Sequence, residues 1–213
     1  MTLATFSAFL LAALVLAFTP GPGITYVVAR TVAGGRAEGL ASCLGTAFGG
    51  LLHVIAAALG LSVVIAQSAA VFNTLKWLGV AYLVYLGVRL LRQAREGGAA
   101  LALPAVAAQG ARRAFREGIL VEALNVKTAL FFLAFLPQFV SAESALLPQL
   151  VLLGTIVVTL NTTADVIAVL AADRFVALGS AHARRTRLLQ RISGGTMLVL
   201  AAWLATARRQ AAV

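Results

Sequence analysis

The sequence predicts an all-α membrane protein: a single polytopic domain, residues 1–213, with six transmembrane helices in two inverted three-helix repeats and a broken first helix. Three observations predict this. First, 61% of the residues are hydrophobic and 11% charged, with a mean hydropathy of +0.97. A soluble domain needs a larger charged coat, so the soluble classes are excluded. Second, apolar runs of about 20 residues recur, each long enough to cross a hydrocarbon core of about 30 Å. Third, the arginines fall between those runs, where cytoplasmic loops concentrate positive charge. The net charge of +10 is therefore a membrane signature and not one of nucleic-acid binding.

The gaps between charges delimit six spans: Leu3–Ala29, Leu40–Gln67, Val71–Leu91, Gly118–Val140, Ala145–Ala172 and Leu188–Ala207. The first is expected to be a retained span and not a signal peptide, because no basic residue precedes its apolar stretch. Thirteen cations collect at three connections: Arg30 and Arg36; Arg89 through Arg116; and Arg174 through Arg191. Only Lys76, Arg208 and Arg209 fall on the opposite side, so both termini are expected to face away from the cytoplasm. The connection at about 92–117, rich in Ala, Gly and Arg, separates halves at about 1–95 and 118–213. Three spans is an odd number, so related halves must be inverted, an arrangement that places a site near mid-membrane where broken helices meet.

Each polar interruption then carries information. In the first span, Thr19-Pro20-Gly21-Pro22-Gly23 places two prolines inside an apolar run. Proline lacks an N–H and its ring blocks the preceding turn, so the span should break there and a new helix start at Pro22. The freed amides of Gly23, Ile24 and Thr25 would form an anion site at a helix N-terminus. The second span carries Gly45 and Gly49 in a GxxxG pattern, suited to close packing within one protomer or to a homodimer. It also holds His53, a packing residue or a proton carrier. The fourth span clusters Glu122, Asn125, Lys127 and Thr128, and the fifth Asn161, Thr162, Thr163 and Asp165. A charge at a span centre costs roughly 2.5–3.5 kcal/mol on insertion scales, which makes Lys127 an attractive counter-charge for Asp165.

Depth unites these features. Pro22 lies about 12 Å from the charge at Arg30; Asn125 and Asp165 each lie about 13.5 Å from Arg116 and Arg174, at 1.5 Å per residue. Three interruptions at one level point to one polar site. Its candidate substrate contacts are Pro20, Gly21, Pro22, Gly23, Thr25, Asn125, Lys127 and Asp165, and its candidate proton carriers are Glu122, Asp165 and His53. A helix N-terminus with Lys127 suits a carboxylate, and Asp165 or Glu122 suits an ammonium or a proton, which together describe a zwitterionic amino acid. The single cysteine, Cys43, forbids an internal disulfide. No HExxH, CxxC or GxSxG pattern occurs, and no metal-ligand spacing, so no enzyme, metal or cofactor is expected.

The PGP break, the Gly-rich second span with His53, Lys76–Gly87 (KWLGVAYLVYLG) and Leu124–Val140 (LNVKTALFFLAFLPQFV) resemble the LysE/RhtB family of amino-acid exporters over essentially the whole chain. The resemblance implies a multi-pass protein of the bacterial inner membrane, with periplasmic termini on the charge count above, exporting an amino acid by proton antiport. Two positions depart from the family pattern. Gly23 stands where Asn or Asp is common, and Val126 replaces the proline of Asn-Pro-Lys, so the fourth span lacks its expected breaker. The competing reading is a membrane scaffold or accessory protein whose buried polar residues only specify packing.

Overall fold

The computed structural model describes residues 3–61, 69–95, 107–141 and 144–178, with scattered positions between 191 and 206. Among these, all regular structure is helical. The expected sixth span, Leu188–Ala207, and Arg184, Arg185, Arg187, Arg208 and Arg209 lie largely or wholly outside the described residues.

Helix α1 (Leu3–Phe18) is apolar on every face and ends just ahead of the prolines. The Thr19 amide and hydroxyl both donate to the Val15 carbonyl, at 3.0 and 2.6 Å, closing the last turn. Helix α2 (Pro22–Ala56) starts with Pro22 at its first position behind an extended Gly21, where the missing N–H would have had no partner anyway. The first apolar stretch is thus broken at its TPGPG segment.

α2 is a helical hairpin. Gly35 adopts φ 73°, ψ −175°, a left-handed conformation that favours glycine. Residues eight apart in a straight helix lie about 12 Å apart, yet a Cβ on Gly39 would stand 2.2 Å from Thr31 Oγ1. Val27 and Cys43 likewise share one buried cluster with Val169. The chain therefore turns at Gly35 and resumes as helix at once, not at the expected Leu40. A short π turn, Ala57–Leu61, extends the returning arm.

Helix α3 (Ala69–Arg95) brackets the expected third span. Helix α4 (Ala111–Ala123) begins well before the expected Gly118, so Arg112, Arg113 and Arg116 sit on a helix and not in a loop. The charges did not end the helix because they lie on its exposed face, while Ala114, Gly118 and Glu122 are buried. Helix α5 (Val126–Leu130) continues through a π turn, Phe131–Phe135, and a 3₁₀ turn, Leu136–Gln138. Helix α6 (Leu146–Leu178) carries the expected fifth span. By length and composition, Pro22–Gly60 and Leu146–Arg174 can cross a membrane, and the pair Ala111–Ala123 and Val126–Gln138, bent by 41°, is a third candidate. The hairpin divides the first of these in two.

The fourth span is broken without its proline. Asn125 is the N-cap of α5: it takes an extended conformation and its side chain accepts the Lys127 amide at 3.1 Å. Asparagine is among the best N-cap residues, so it starts the new helix where a proline would only have stopped the old one.

The main core joins α1 (Phe9, Leu16), the turns after α5 (Phe132, Phe135, Leu136) and α6 (Leu150, Leu153, Val157). The GxxxG pair packs within the chain: a Cβ on Gly45 would stand 2.1 Å from the Phe115 carbonyl, and one on Gly49 2.5 Å from the Ile119 carbonyl. Both obstacles are α4 backbone and cannot rotate away. Gly45→Val should therefore push α2 and α4 apart and lower stability by about 1–3 kcal/mol. A thermal melt in detergent checks this, and an unchanged midpoint would show that the two helices do not pack as described.

Candidate functional site

The two helix breaks and the middle of α6 meet at one buried polar cavity. Its lining includes Ala17 of α1, Gly23, Ile24 and Thr46 of α2, Glu122 of α4, Asn125, Lys127 and Thr128 around the second break, and Asn161, Thr162 and Asp165 of α6. Free space amounts to about 20 Å³, roughly one water molecule. The cavity is narrow in this conformation, with room for little more than a water.

Lys127 rises from the first turn of α5, but its ammonium serves α1. Nζ donates to the carbonyls of Leu16 at 3.0 Å and Thr19 at 2.9 Å. The last carbonyls of a helix have no internal partner and the C-terminus carries partial negative charge, so a cation is stabilised there. A Cβ on Gly21 would stand 3.1 Å from Lys127 Cε and Nζ, so the break lies directly against this side chain.

Glu122 is 5% exposed, at the C-terminal end of α4 where a carboxylate is disfavoured. Neighbours compensate: Thr128 Oγ1 donates to Oε1 at 2.6 Å and Asn125 Nδ2 to Oε2 at 2.9 Å. Oε2 also stands 2.9 Å from where a Gly23 Cβ would be, beside the positive end of α2. Asp165 is 6% exposed and accepts the Thr46 hydroxyl at 2.8 Å through Oδ2.

These contacts correct several expectations. Lys127 and Asp165 form no direct ion pair; each is satisfied by nearer groups, the ammonium by carbonyls and the carboxylate by a hydroxyl. The Thr25 amide is not free, because it donates to the Gly21 carbonyl at 2.9 Å as the first internal bond of α2. Helix geometry then leaves Gly23 and Ile24 as the open amides of that terminus, with Glu122 already beside them. Pro20, Gly21, Pro22 and Thr25 build the break without lining the cavity.

His53 also lies outside the lining. Its Nε2 is 2.8 Å from the Glu122 carbonyl and its ring stacks on Phe132. The carbonyl can only accept, so Nε2 carries the hydrogen, and His53 anchors the α4 end of the break. Gly45 and Gly49 belong to the α2–α4 contact. Thr163 turns away to the Thr159 carbonyl. The polar lining residue that sequence reasoning missed is Thr46; the only signal was its place beside Gly45, on a helix already marked for close approach. Among the described residues, no group of three or more His, Cys, Asp or Glu side chains could hold a metal.

A second polar cluster ties these elements together beyond the cavity. Arg30 and Glu38, on the two arms of α2, are 5% and 4% exposed, and Arg30 Nη1 lies 3.9 Å from Glu38 Oε2. Arg30 also reaches Glu117 at 3.4 Å, the Ala107 carbonyl at 3.1 Å and the face of the Tyr26 ring. Glu38 Oε1 accepts the amides of Gln109 and Gly110, at 2.8 and 2.6 Å, pinning the start of α4 to the hairpin. Arg30 and Glu117 lie one to two turns from the cavity residues Ile24 and Glu122 of their own helices, and Glu38 just over two turns from Thr46.

The described residues thus form apolar helices interrupted around one small, largely buried polar cavity. The model of the LysE type translocator family matches residues 14–208, and the chain belongs to that family. It is 28% identical over 208 residues to a homoserine/homoserine lactone efflux protein of Salmonella typhimurium, covering 98% of this chain and 99% of the relative. An uncharacterized membrane protein of Vibrio cholerae is 30% identical over 155 residues, 72% of this chain and 74% of its own. A leucine efflux protein of Salmonella choleraesuis is 27% identical over 136 residues, 64% and 63% of the two chains. No solved structure matches.

Proposed function

We propose that the protein exports an amino acid or a closely related small zwitterion across the bacterial inner membrane by proton antiport. The observation that carries this reading is the convergence of two helix breaks and Asp165 on one narrow polar cavity, in a family with relatives named for homoserine and leucine efflux. Gly23, Ile24, Asn125, Lys127 and Asp165 would contact the substrate, and Asp165 and Glu122 would exchange the proton. We also propose six spans in two inverted halves, with both termini periplasmic. In support, the first apolar stretch of each proposed half is broken, at Gly21–Pro22 and at Asn125. The protein would act without catalysis, cofactor or metal.

The scaffold reading draws on one observation: most polar groups of the cavity already satisfy one another. Asp165→Asn separates the two, because the amide oxygen can still accept from Thr46 while the titratable group is gone. In proteoliposomes, an imposed proton gradient should accelerate amino-acid efflux through the wild type and not through Asp165→Asn, with equal thermal midpoints. Gradient-driven efflux surviving in the variant would remove Asp165 from coupling; no flux in either protein would favour the scaffold.

A further inference from the structure

Hydrogen-bond donors in the cavity are mostly committed. The Thr46, Thr128 and Thr162 hydroxyls donate to Asp165, Glu122 and the Val158 carbonyl, and Lys127 donates to two α1 carbonyls. One acceptor is left over. Asn161 Oδ1 is shut off from solvent and has no hydrogen-bond partner among the described residues. An unpaired buried acceptor is destabilising, so a ligand donor that reaches Asn161 Oδ1, in place of any water there, is favoured.

Asn161 and Asp165 are four residues apart on α6, hence neighbours on one helix face, and both line the cavity. Among the described residues, Asp165 takes part in no ion pair. An amide oxygen beside a carboxylate that no cation contacts directly matches a primary ammonium, which brings three N–H donors and a full positive charge. The α2 N-terminus, by contrast, already has the Glu122 carboxylate beside it.

Resting on the assignment of this cavity to the substrate, we propose that the Asn161–Asp165 edge receives the substrate's primary ammonium. Asn161 is then a specificity residue that selects free amines over N-acylated ones. N-acylation removes the charge and two of the donors, and adds bulk where the cavity is narrow.

The test uses the full-length protein in proteoliposomes exchanging a mixture of the protein amino acids and homoserine. The best-exchanged compound is then challenged with its N-acetyl derivative and with its decarboxylated primary amine. The amine should compete and the N-acetyl compound should not. Asn161→Leu should lose exchange by about ten-fold or more, the scale of a lost hydrogen bond to a charged group. Its ligand-free thermal midpoint should equal or exceed that of the wild type, because a near-isosteric leucine removes the unpaired acceptor. A lowered midpoint would show that Asn161 has a structural partner and overturn the proposal. So would full exchange by Asn161→Leu, or competition by the N-acetyl compound, each with the exporter reading intact. Absence of any exchange in the wild type removes that reading and this inference together.

Discussion

Lys127→Met is expected to abolish export and to destabilise the fold. Methionine nearly matches the lysine stem in length, so packing against Gly21 survives while the ammonium is lost. The Thr19 carbonyl then loses its donor at 2.9 Å, while the Leu16 carbonyl loses the ammonium at 3.0 Å and keeps the Thr19 amide at 3.3 Å. A buried group left unpaired costs about 1–3 kcal/mol, partly offset because a buried ammonium no longer needs desolvation. A net loss of about 1–3 kcal/mol follows. Function should suffer more, since Lys127 is the cation of the cavity lining, and without it Glu122 and Asp165 face each other uncompensated across the space a substrate must enter. Reconstituted counterflow and a thermal melt check the two parts separately. Wild-type counterflow in Lys127→Met would falsify the proposed site; lost flux with an unchanged melt would assign Lys127 to transport alone.

Glu38→Ala should bring the largest loss of stability. It leaves the buried Arg30 without one of its two carboxylates and strips the Gln109 and Gly110 amides of their shared acceptor. Removing one partner of a buried ion pair typically costs 3–5 kcal/mol; Glu117, 3.4 Å from Arg30, should hold the loss near about 3 kcal/mol. Replacing both partners removes the stranded charge, so Arg30→Met with Glu38→Ala should be more stable than Glu38→Ala alone. Strictly additive losses across that cycle would mean that the two residues act independently.

Much of the site was legible because its signals are local. A proline in an apolar run and a charge or amide in mid-span each declare themselves without knowledge of neighbours, whereas the role of Asn125 as the cap that starts α5 appeared only in the structure. Counting residues from the flanking arginines then placed Pro22, Asn125 and Asp165 at one depth, and the structure sets Gly23, Asn125, Lys127 and Asp165 around one cavity. The pairing within it was not legible. Lys127 and Asp165 were matched by charge, but an ammonium near a helix C-terminus found two carbonyls at closer range. The helix starts at Arg36 and Ala111 were also hidden, since runs of charge looked like loops when in fact they coat exposed helix faces or fold inward as Arg30 and Glu38 do.

The sequence by itself determined that the chain is helical and membrane-bound, that its first apolar stretch breaks at TPGPG, and which residues are too polar to face lipid. These follow from composition, backbone chemistry and the expense of burying charge, all properties of single segments. Only the tertiary structure decided that Gly35 folds α2 onto itself, that Gly45 and Gly49 admit α4, and that Asn161 is left with an acceptor unused. Such outcomes depend on which surfaces meet, and helices apolar on nearly every face carry little periodicity to announce their partners.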